Sequence, residues 1–475
     1  MVKNIPLKSN DLEDLFNEHI ASYGYKKNEI KKEAEVGCEE TYRTSLRRQR
    51  DKILYTGGFR RLQDKTQVIS ATVSGDHRTR LTHTLEVEQI AISIANALRL
   101  NMDLVSAIAL GHDVGHTPFG HAAERKLNKL LKENGEFHHP IQSVRYLWEK
   151  YGSKIEPEIY EGILLHDSDM FKIKKGVAQI QLKYLKVLER PDEPFGSWVK
   201  IDEWLNSFPS TLEAQVVIWS DKIAYITHDL EDFLRCSAYI NLKKNNKGIE
   251  DELCGILSGL LNKEINSLDE YKPRDLIRNI ISDLINSSAK NINGIPGLIQ
   301  KTVRAETENR RQSWSSDGRN KEYLDSLLIN FSSDYRTNYY KLREFLDNYY
   351  IFSPEVQKSD AKAEVIVEWL FNKLTNNYKL MPLNLRDEVD QAIICELFED
   401  EDLKSIYEEL DQRQNTVLHF EKKVEKEYPD ESEKYKSLRY KIISRKVASY
   451  IATMSDTYAE NMYRNLIGSS VDFNL

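Results

Sequence analysis

Apolar residues recur along most of this chain at spacings of three and four, the period of a helix with one buried face. From His83 to Leu98, the residues Val87, Ile90, Ala91, Ile94 and Leu98 fall on one such stripe. The same period predicts helices over Asp103–Gly111, Ala122–Leu131, Gln142–Tyr151 and Ala214–Ile240. Further along it predicts helices over Arg274–Ile285, Leu324–Tyr349, Glu355–Leu374, Leu403–Glu427 and Lys434–Leu466. Strand-like patterning is confined to Thr66–Val73 and Val177–Leu188. The expected fold is therefore all-α with minor β hairpin elements. No period of about 20 to 50 residues repeats, which argues against a solenoid. The polar break Lys243–Ile249 separates a core over 45–240 from a helical region over 241–475, with 1–44 as an N-terminal extension. Neither that break nor the stretch Phe171–Pro209 has the composition of a free linker, so one continuous body is expected.

Composition narrows the partners. The chain has 475 residues, 40% hydrophobic and 30% charged, as an ordinary packed globular protein does. A formal net charge of −8 gives no global attraction to nucleic acid or membrane. An anionic ligand must then be held by a local basic pocket or a metal. Arg47-Arg48-Gln49-Arg50 and Arg60-Arg61 are local basic clusters, though by themselves such mixed runs read more often as solvated helix faces. Cys38, Cys236, Cys254 and Cys395 lie far apart, against a disulfide framework or a zinc knuckle and in keeping with a reducing compartment. No apolar run approaches the ~20 residues of a membrane span, and Met1–Asp11 lacks the apolar core of a signal peptide. A cytoplasmic location is expected.

The chemistry is concentrated in one region. Of 11 histidines, seven lie between His77 and His139. An apolar helix runs into Gly111-His112-Asp113-Val114-Gly115-His116-Thr117-Pro118-Phe119-Gly120-His121-Ala122-Ala123-Glu124. Burying a histidine beside a carboxylate is costly unless something pairs with both, and a divalent cation does so. His83 on the preceding helix and Asp221 on a later one complete a two-histidine, two-carboxylate set. Such a set favours an octahedral ion with open positions, Mn²⁺, Mg²⁺ or Fe²⁺, over a closed structural zinc. Singly, His83 reads as a core histidine and Asp221 as half of a surface pair with Lys222; it is their order on successive helices that favours a metal. Thr117 is the expected N-cap of a helix with Pro118 at its first position. That helix places His121 and Glu124 three apart on one face, where the carboxylate fixes the imidazole tautomer for proton transfer, and its N-terminus attracts phosphate. Glycines at 111, 115 and 120 permit close backbone approach.

These residues resemble a known family. Arg80-Leu81-Thr82-His83-Thr84-Leu85-Glu86-Val87, the His112–Glu124 run, and Phe59–Val68 upstream look like the deoxyguanosine triphosphate triphosphohydrolases, a group within the HD superfamily. Leu212–Asp232 is similar to that family's last metal-ligand helix, and Ser449–Ala459 to its closing helix. The resemblance implies an HD phosphohydrolase core over 45–240 with the C-terminal helices packed on it. It implies that His83, His112, Asp113 and Asp221 hold the metal and that His121 with Glu124 is the catalytic dyad. His116 and His139 would line the triphosphate site; Arg80, Lys222 and Arg61 would contact phosphates. Tyr225 and Asp229 would face the sugar, and Gln67 the 3′-hydroxyl. The spacing 221, 225, 229 independently puts three of these on one helix face. The implied reaction is hydrolysis of a deoxynucleoside triphosphate to deoxynucleoside and tripolyphosphate. The implied assembly is a homo-oligomer, a hexamer or another dimer-built ring, with allosteric nucleotide and single-stranded DNA as candidate further ligands.

Two rivals share the same ligands. One is a related HD phosphohydrolase acting on a nucleoside monophosphate, a cyclic dinucleotide or a guanosine alarmone. The other is a nucleotide-sensing, nucleic-acid-binding regulator, supported by the basic stretch Arg43–Arg61. No helix-turn-helix, RNP or zinc-finger pattern accompanies that stretch. Neither a P-loop nor a His-Glu-x-x-His motif occurs.

Overall fold

The computed structural model describes residues 8–26, 42–67, 78–168, 170, 201–205, 207–245, 248–312, 320–410 and 417–467. Seven helices frame the histidine-rich region: α1 (Ser45–Leu54), α2 (Arg80–Ala97), α3 (Met102–Gly111), α4 (Gly120–Leu130), α5 (His139–Tyr151), α6 (Pro157–Leu165) and α7 (Leu212–Arg235). Helix α3 is the axis of this half. Every residue from Asp103 to Gly111 is buried, and α1, α2, α6 and α7 pack around it. A helix apolar on all sides has to sit inside such a bundle. Its start is fixed by Asn101, whose side chain accepts from the amides of Asp103 and Leu104. Thr79 and Thr211 cap α2 and α7 in the same way, each accepting from the amide three residues on.

The C-terminal half adds α8 (Pro273–Asn293), α9 (Ser333–Leu346), α10 (Pro354–Asn376), α11 (Leu383–Phe398), α12 (Pro429–Ala452) and α13 (Asp456–Ile467). Two apolar clusters result. The first joins α1–α3 and α5–α7 with α8 and α9. The second is built from α10–α13, and among the described residues the N-terminal half enters it through α4 and the turn that follows. Ala123, Leu127, Leu131 and Phe137 contribute there beside Val367, Leu370 and Phe371. Gln215 on α7 accepts from the amides of Leu328 and Ile329, and Trp219 donates to the Ile329 carbonyl at 2.7 Å, tying α7 to the segment before α9.

Several expected elements are cut differently. Among the described residues the only β pairing is an isolated antiparallel bridge between Thr66 and Thr79; residues 68–73 and 177–188 of the two expected strands lie outside the described residues. The helix expected over Ala214–Ile240 breaks at Cys236, an extended residue between α7 and a helix over Ser237–Asn245. The one expected over Leu324–Tyr349 divides into Asn320–Ser326 and α9, because buried Asn330 ties back to the carbonyls of Leu324 and Asp325. Lys434–Leu466 divides into α12 and α13, and Leu403–Glu427 into helices over Glu401–Glu408 and Val417–Glu427. Thr117 is not the cap of α4. The cap is Phe119, in the left-handed region at φ 58°, and Pro118 lies before the helix. The reason is tertiary: Asp456 accepts from the Phe119 amide at 2.8 Å, while the Thr117 hydroxyl donates to the Gly120 carbonyl. A protein carboxylate thus meets the helix end that sequence had offered to phosphate.

Because α4 is anchored in the second cluster by Leu127, Leu127→Ala should cost about 2–5 kcal/mol of stability, read as a lower urea midpoint. A loss under about 1 kcal/mol, the size of a surface substitution rather than a core truncation, would show that this contact does not hold α4.

Candidate active site

His83 lies in the first turn of α2, His112 and Asp113 follow the last residue of α3, and Asp221 projects from α7. The packing of these three helices brings all four together. His83 Nε2 is 2.9 Å from Asp221 Oδ1, and His112 Nε2 is 3.8 Å from the same oxygen and 3.6 Å from Asp113 Oδ2. His83, His112 and Asp113 each place a ligand atom within 4.8 Å of the others. The Nδ1 of His112 lies 2.6 Å from the Ala109 carbonyl oxygen. That contact puts the ring hydrogen on Nδ1 and leaves Nε2 as a lone pair, buried and without a hydrogen-bond partner. Two imidazoles and two carboxylates around an orphaned nitrogen fit a divalent cation.

The carboxylates are ionised in this setting. Burial pushes the Asp113 carboxyl up, but Arg80, His112, His116 and His139 outweigh it and hold the group well below the usual range. Arg80 Nη1 is 2.6 Å from Asp113 Oδ2. Asp221 is likewise held low, burial being overcome by its hydrogen bond to His83 and by His112 and His166.

On α4, Glu124 is shared among imidazoles. Its Oε2 lies 3.1 Å from His121 Nδ1 and 3.7 Å from His116 Nε2, and its Oε1 lies 2.9 Å from His139 Nδ1. The His139 amide donates to Oε1 as well, at 2.7 Å. Burial raises the Glu124 carboxyl, yet His139, His121 and His116 hold it well below its ordinary value. The charge also acts on His139: burial lowers that imidazole, and Glu124 with Asp113 raises it further, to about 9. His116 is driven the other way, well below its ordinary value, by burial and by Arg80 and His139. His121 is the most exposed of these rings, with 46% of its side chain open. With Nδ1 directed at Glu124, its Nε2 is the nitrogen available to a reacting group. The loop is seated by Gly115, where an added Cβ would lie 2.2 Å from the Ser143 nitrogen; Ser143 in turn donates to the His112 carbonyl.

The remaining expected residues sit around this centre at varying depth. Gln67 is buried beside Gly120, and its Oε1 has no partner. Arg61 lies 5.6 Å over the Tyr146 ring. Lys222 is half-buried, and its carbonyl accepts from Tyr339. Tyr225 and Asp229 follow Asp221 on α7. Burial pushes the Asp229 carboxyl to about 8, with Arg343 opposing. Burial and Asp229 also raise the Tyr225 phenol. Arg343 of α9 stacks over the Tyr225 ring at 4.6 Å.

Some contributors were not assigned a role from sequence. His166 meets His139 with their Nε2 atoms 3.1 Å apart. Its signal was weaker: His166-Asp167 follows the short apolar run Ile163–Leu165, an echo of the pattern that marks His112-Asp113. Arg343 carried no signal, since only the docking of α9 on α7 brings it to Tyr225. His228 contacts Glu86 and lies 5.5 Å from His83, ring to ring. The basic stretch is largely paired: Arg43 with Asp51, Arg47 with Asp103 at 3.4 Å, and Arg50 with Glu88 at 3.0 Å.

Residues 80–226 match the family model of the HD domain, and residues 329–394 that of a phosphohydrolase-associated domain. A deoxyguanosinetriphosphate triphosphohydrolase-like protein of Rickettsia bellii is 32% identical over 359 residues, covering 74% of this chain and 84% of that protein. One of the same name from Caldanaerobacter subterraneus subsp. tengcongensis is 32% identical over 374 residues, covering 78% and 84%. The chain belongs to this HD family. A third such relative, from Syntrophus aciditrophicus, is 44% identical over 207 residues, 43% of this chain and 46% of that protein. Membership brings with it a metal-dependent phosphohydrolase activity and a divalent ion, and His83, His112 and Asp113 form a cluster that could hold one. Among the described residues, no helix of this HD protein is long and apolar enough to cross a membrane.

Two predictions follow from this geometry. His112→Ala should abolish tight Mn²⁺ binding, whereas His121→Ala should retain the metal and lower turnover about 10²–10⁴-fold; metal analysis and steady-state rates separate them, and metal loss in His121→Ala would refute the assignment. For Asp229 the folded value near 8 exceeds the ordinary 3.8. The folded state therefore binds the extra proton between these values, and stability falls as pH rises through that window. Asp229→Asn should flatten this slope and raise the melting temperature at pH 8–9; an unchanged slope would show that Asp229 ionises freely.

Proposed function

We propose that this chain hydrolyses a deoxynucleoside triphosphate, dGTP or dNTPs generally, to deoxynucleoside and tripolyphosphate. The observation that carries the reading is Arg80. Its side chain is 2% exposed and uses Nη1 on Asp113, while Nε and Nη2 are buried without partners beside the metal set. A buried cation with donors to spare fits a substrate that brings several phosphate oxygens. His139, positively charged at neutral pH, adds to that side of the cleft. The names of the relatives support the substrate class.

The residues divide the work. A divalent ion held by His83, His112, Asp113 and Asp221 would supply Lewis acidity toward phosphate oxygen and lower the pKa of water. Glu124 holds His121 with Nδ1 inward, so Nε2 exchanges a proton with the departing 5′-oxygen or with the water. Arg80 and His139 neutralise the other phosphates, His116 offers them an imidazole nitrogen, and Lys222 and Arg61 are further phosphate contacts. Tyr225, backed by Arg343, and Asp229 form the sugar side, and Gln67 faces the 3′-hydroxyl. Tyr225 excludes a 2′-hydroxyl by contact. Ion pairs from Arg43, Arg47 and Arg50 to Asp51, Asp103 and Glu88 leave the regulator reading with less support.

Each dNTP incubated with the protein and Mn²⁺ or Mg²⁺ should yield tripolyphosphate and deoxynucleoside on ion-exchange separation. Orthophosphate, pyrophosphate or a linear dinucleotide from the rival substrates, with no tripolyphosphate from any dNTP, would overturn the reading.

A further inference from the structure

Asp456 is the first residue of α13, yet its carboxylate serves segments of the N-terminal half. Oδ2 accepts from the Thr66 amide at 2.9 Å and from the Thr66 hydroxyl, and Oδ1 accepts from the Phe119 amide at 2.8 Å. Both segments run directly into the candidate active site. Thr66 precedes Gln67, and Phe119 caps the helix that carries His121 and Glu124. The two segments also touch, since a Cβ on Gly120 would lie 3.1 Å from the Gln67 carbonyl oxygen. Lys65 joins the same junction: its ammonium donates to the carbonyls of His116 and Ala452, and its own carbonyl accepts from the Arg80 amide at 2.9 Å. Beside it, the Thr457 hydroxyl donates to Asp64 at 2.9 Å.

We infer that Asp456 is a positioning residue for the hydrolysis: its carboxylate fixes the spacing between Gln67 and His121. Under the proposed function these two groups meet the 3′-hydroxyl and the 5′-oxygen of one deoxyribose, so their separation gauges the sugar and sets where His121 stands against the scissile bond. A carboxylate this deeply buried is costly unless donors meet it. Three donors do so here, and the positive ends of two helices, its own and α4, favour its charge as well. Phe119 is left-handed at φ 58°, a conformation that a residue with a Cβ keeps only where its surroundings over-determine it. The bond from its amide to Asp456 supplies that constraint one residue before the turn into α4. Without it, the backbone ahead of His121 is free to relax, while His83, His112, Asp113 and Asp221 stay on helices that Asp456 does not touch.

The inference rests on the reading of His121 as the proton-transferring group, and a double-mutant cycle tests it on the full chain. Asp456→Asn should lower kcat for dNTP hydrolysis about 10–10²-fold, the cost of a small misplacement, with Mn²⁺ content unchanged and KM within about threefold. In the His121→Ala background the same substitution should cost nothing more, because a residue that acts through His121 has nothing left to position. Thr66→Val should lower kcat in the same direction and Thr66→Ser should restore it. If Asp456→Asn loses its helical circular dichroism, Thr66→Val takes its place in the cycle. An unchanged kcat, a rise in KM alone, or losses that multiply in the double variant would overturn the inference. The cycle is run in parallel on bis(p-nitrophenyl) phosphate, a diester without a sugar. Turnover of that ester but of no dNTP sinks the proposed substrate, and the ester's own cycle then decides for or against Asp456. A wild type that turns over neither overturns both.

Discussion

The buried charge of Asp113 is the constraint around which the rest is organised. At 3% exposure, an isolated carboxylate would be expelled or neutralised. It remains ionised because one oxygen is met by Arg80 and both oxygens face imidazoles. Arg80 and His83 are themselves held by the capped first turn of α2, and His112 by the end of α3. The central position of α3 is thus electrostatic in its consequence: an apolar helix delivers an imidazole and an ionised carboxylate into the interior, where only cations can balance the carboxylate. The same low dielectric strengthens every contact made there with phosphate or metal.

The site lies at a seam. The metal-side residues belong to helices of the first apolar cluster, and His121 and Glu124 ride on α4, whose apolar face is in the second. The seam is fastened by polar contacts distant in sequence. Lys65 is buried and donates to the carbonyls of His116 and Ala452, one from each half. Burial, with Arg61 and then Arg80, pulls its pKa to about 7 against the opposing Asp456 and Asp113. Asp456 accepts from Thr66 and from the Phe119 amide, holding Phe119 in its left-handed conformation. The C-terminal helices therefore set where His121 and Glu124 stand relative to His83, His112, Asp113 and Asp221. This is a structural role for a region that carries none of the expected catalytic groups.

Local pattern made much of this visible. The all-α class, the positions of α2, α3 and α4, and the face shared by Asp221, Tyr225 and Asp229 follow from helical periodicity, which acts within a few residues. Helix ends were less legible, because their causes are distant. The break before α9 depends on Asn330 finding carbonyls that only the folded turn supplies, and the start of α4 on a carboxylate more than three hundred residues away. His166 went unassigned in the sequence, although it too precedes an aspartate after apolar residues, because that pattern does not tell which imidazole it will meet.

What the sequence determined by itself is the inventory: which residue types are available, their order, and which of them share a helix face, since covalent spacing and the helical pitch fix these. What the tertiary structure decided is company. Whether Asp221 meets His83 or a surface lysine, whether Glu124 serves one imidazole or several, and whether Arg343 reaches Tyr225 depend on how helices pack. Packing is governed by apolar faces that carry no record of which polar groups they will bring together.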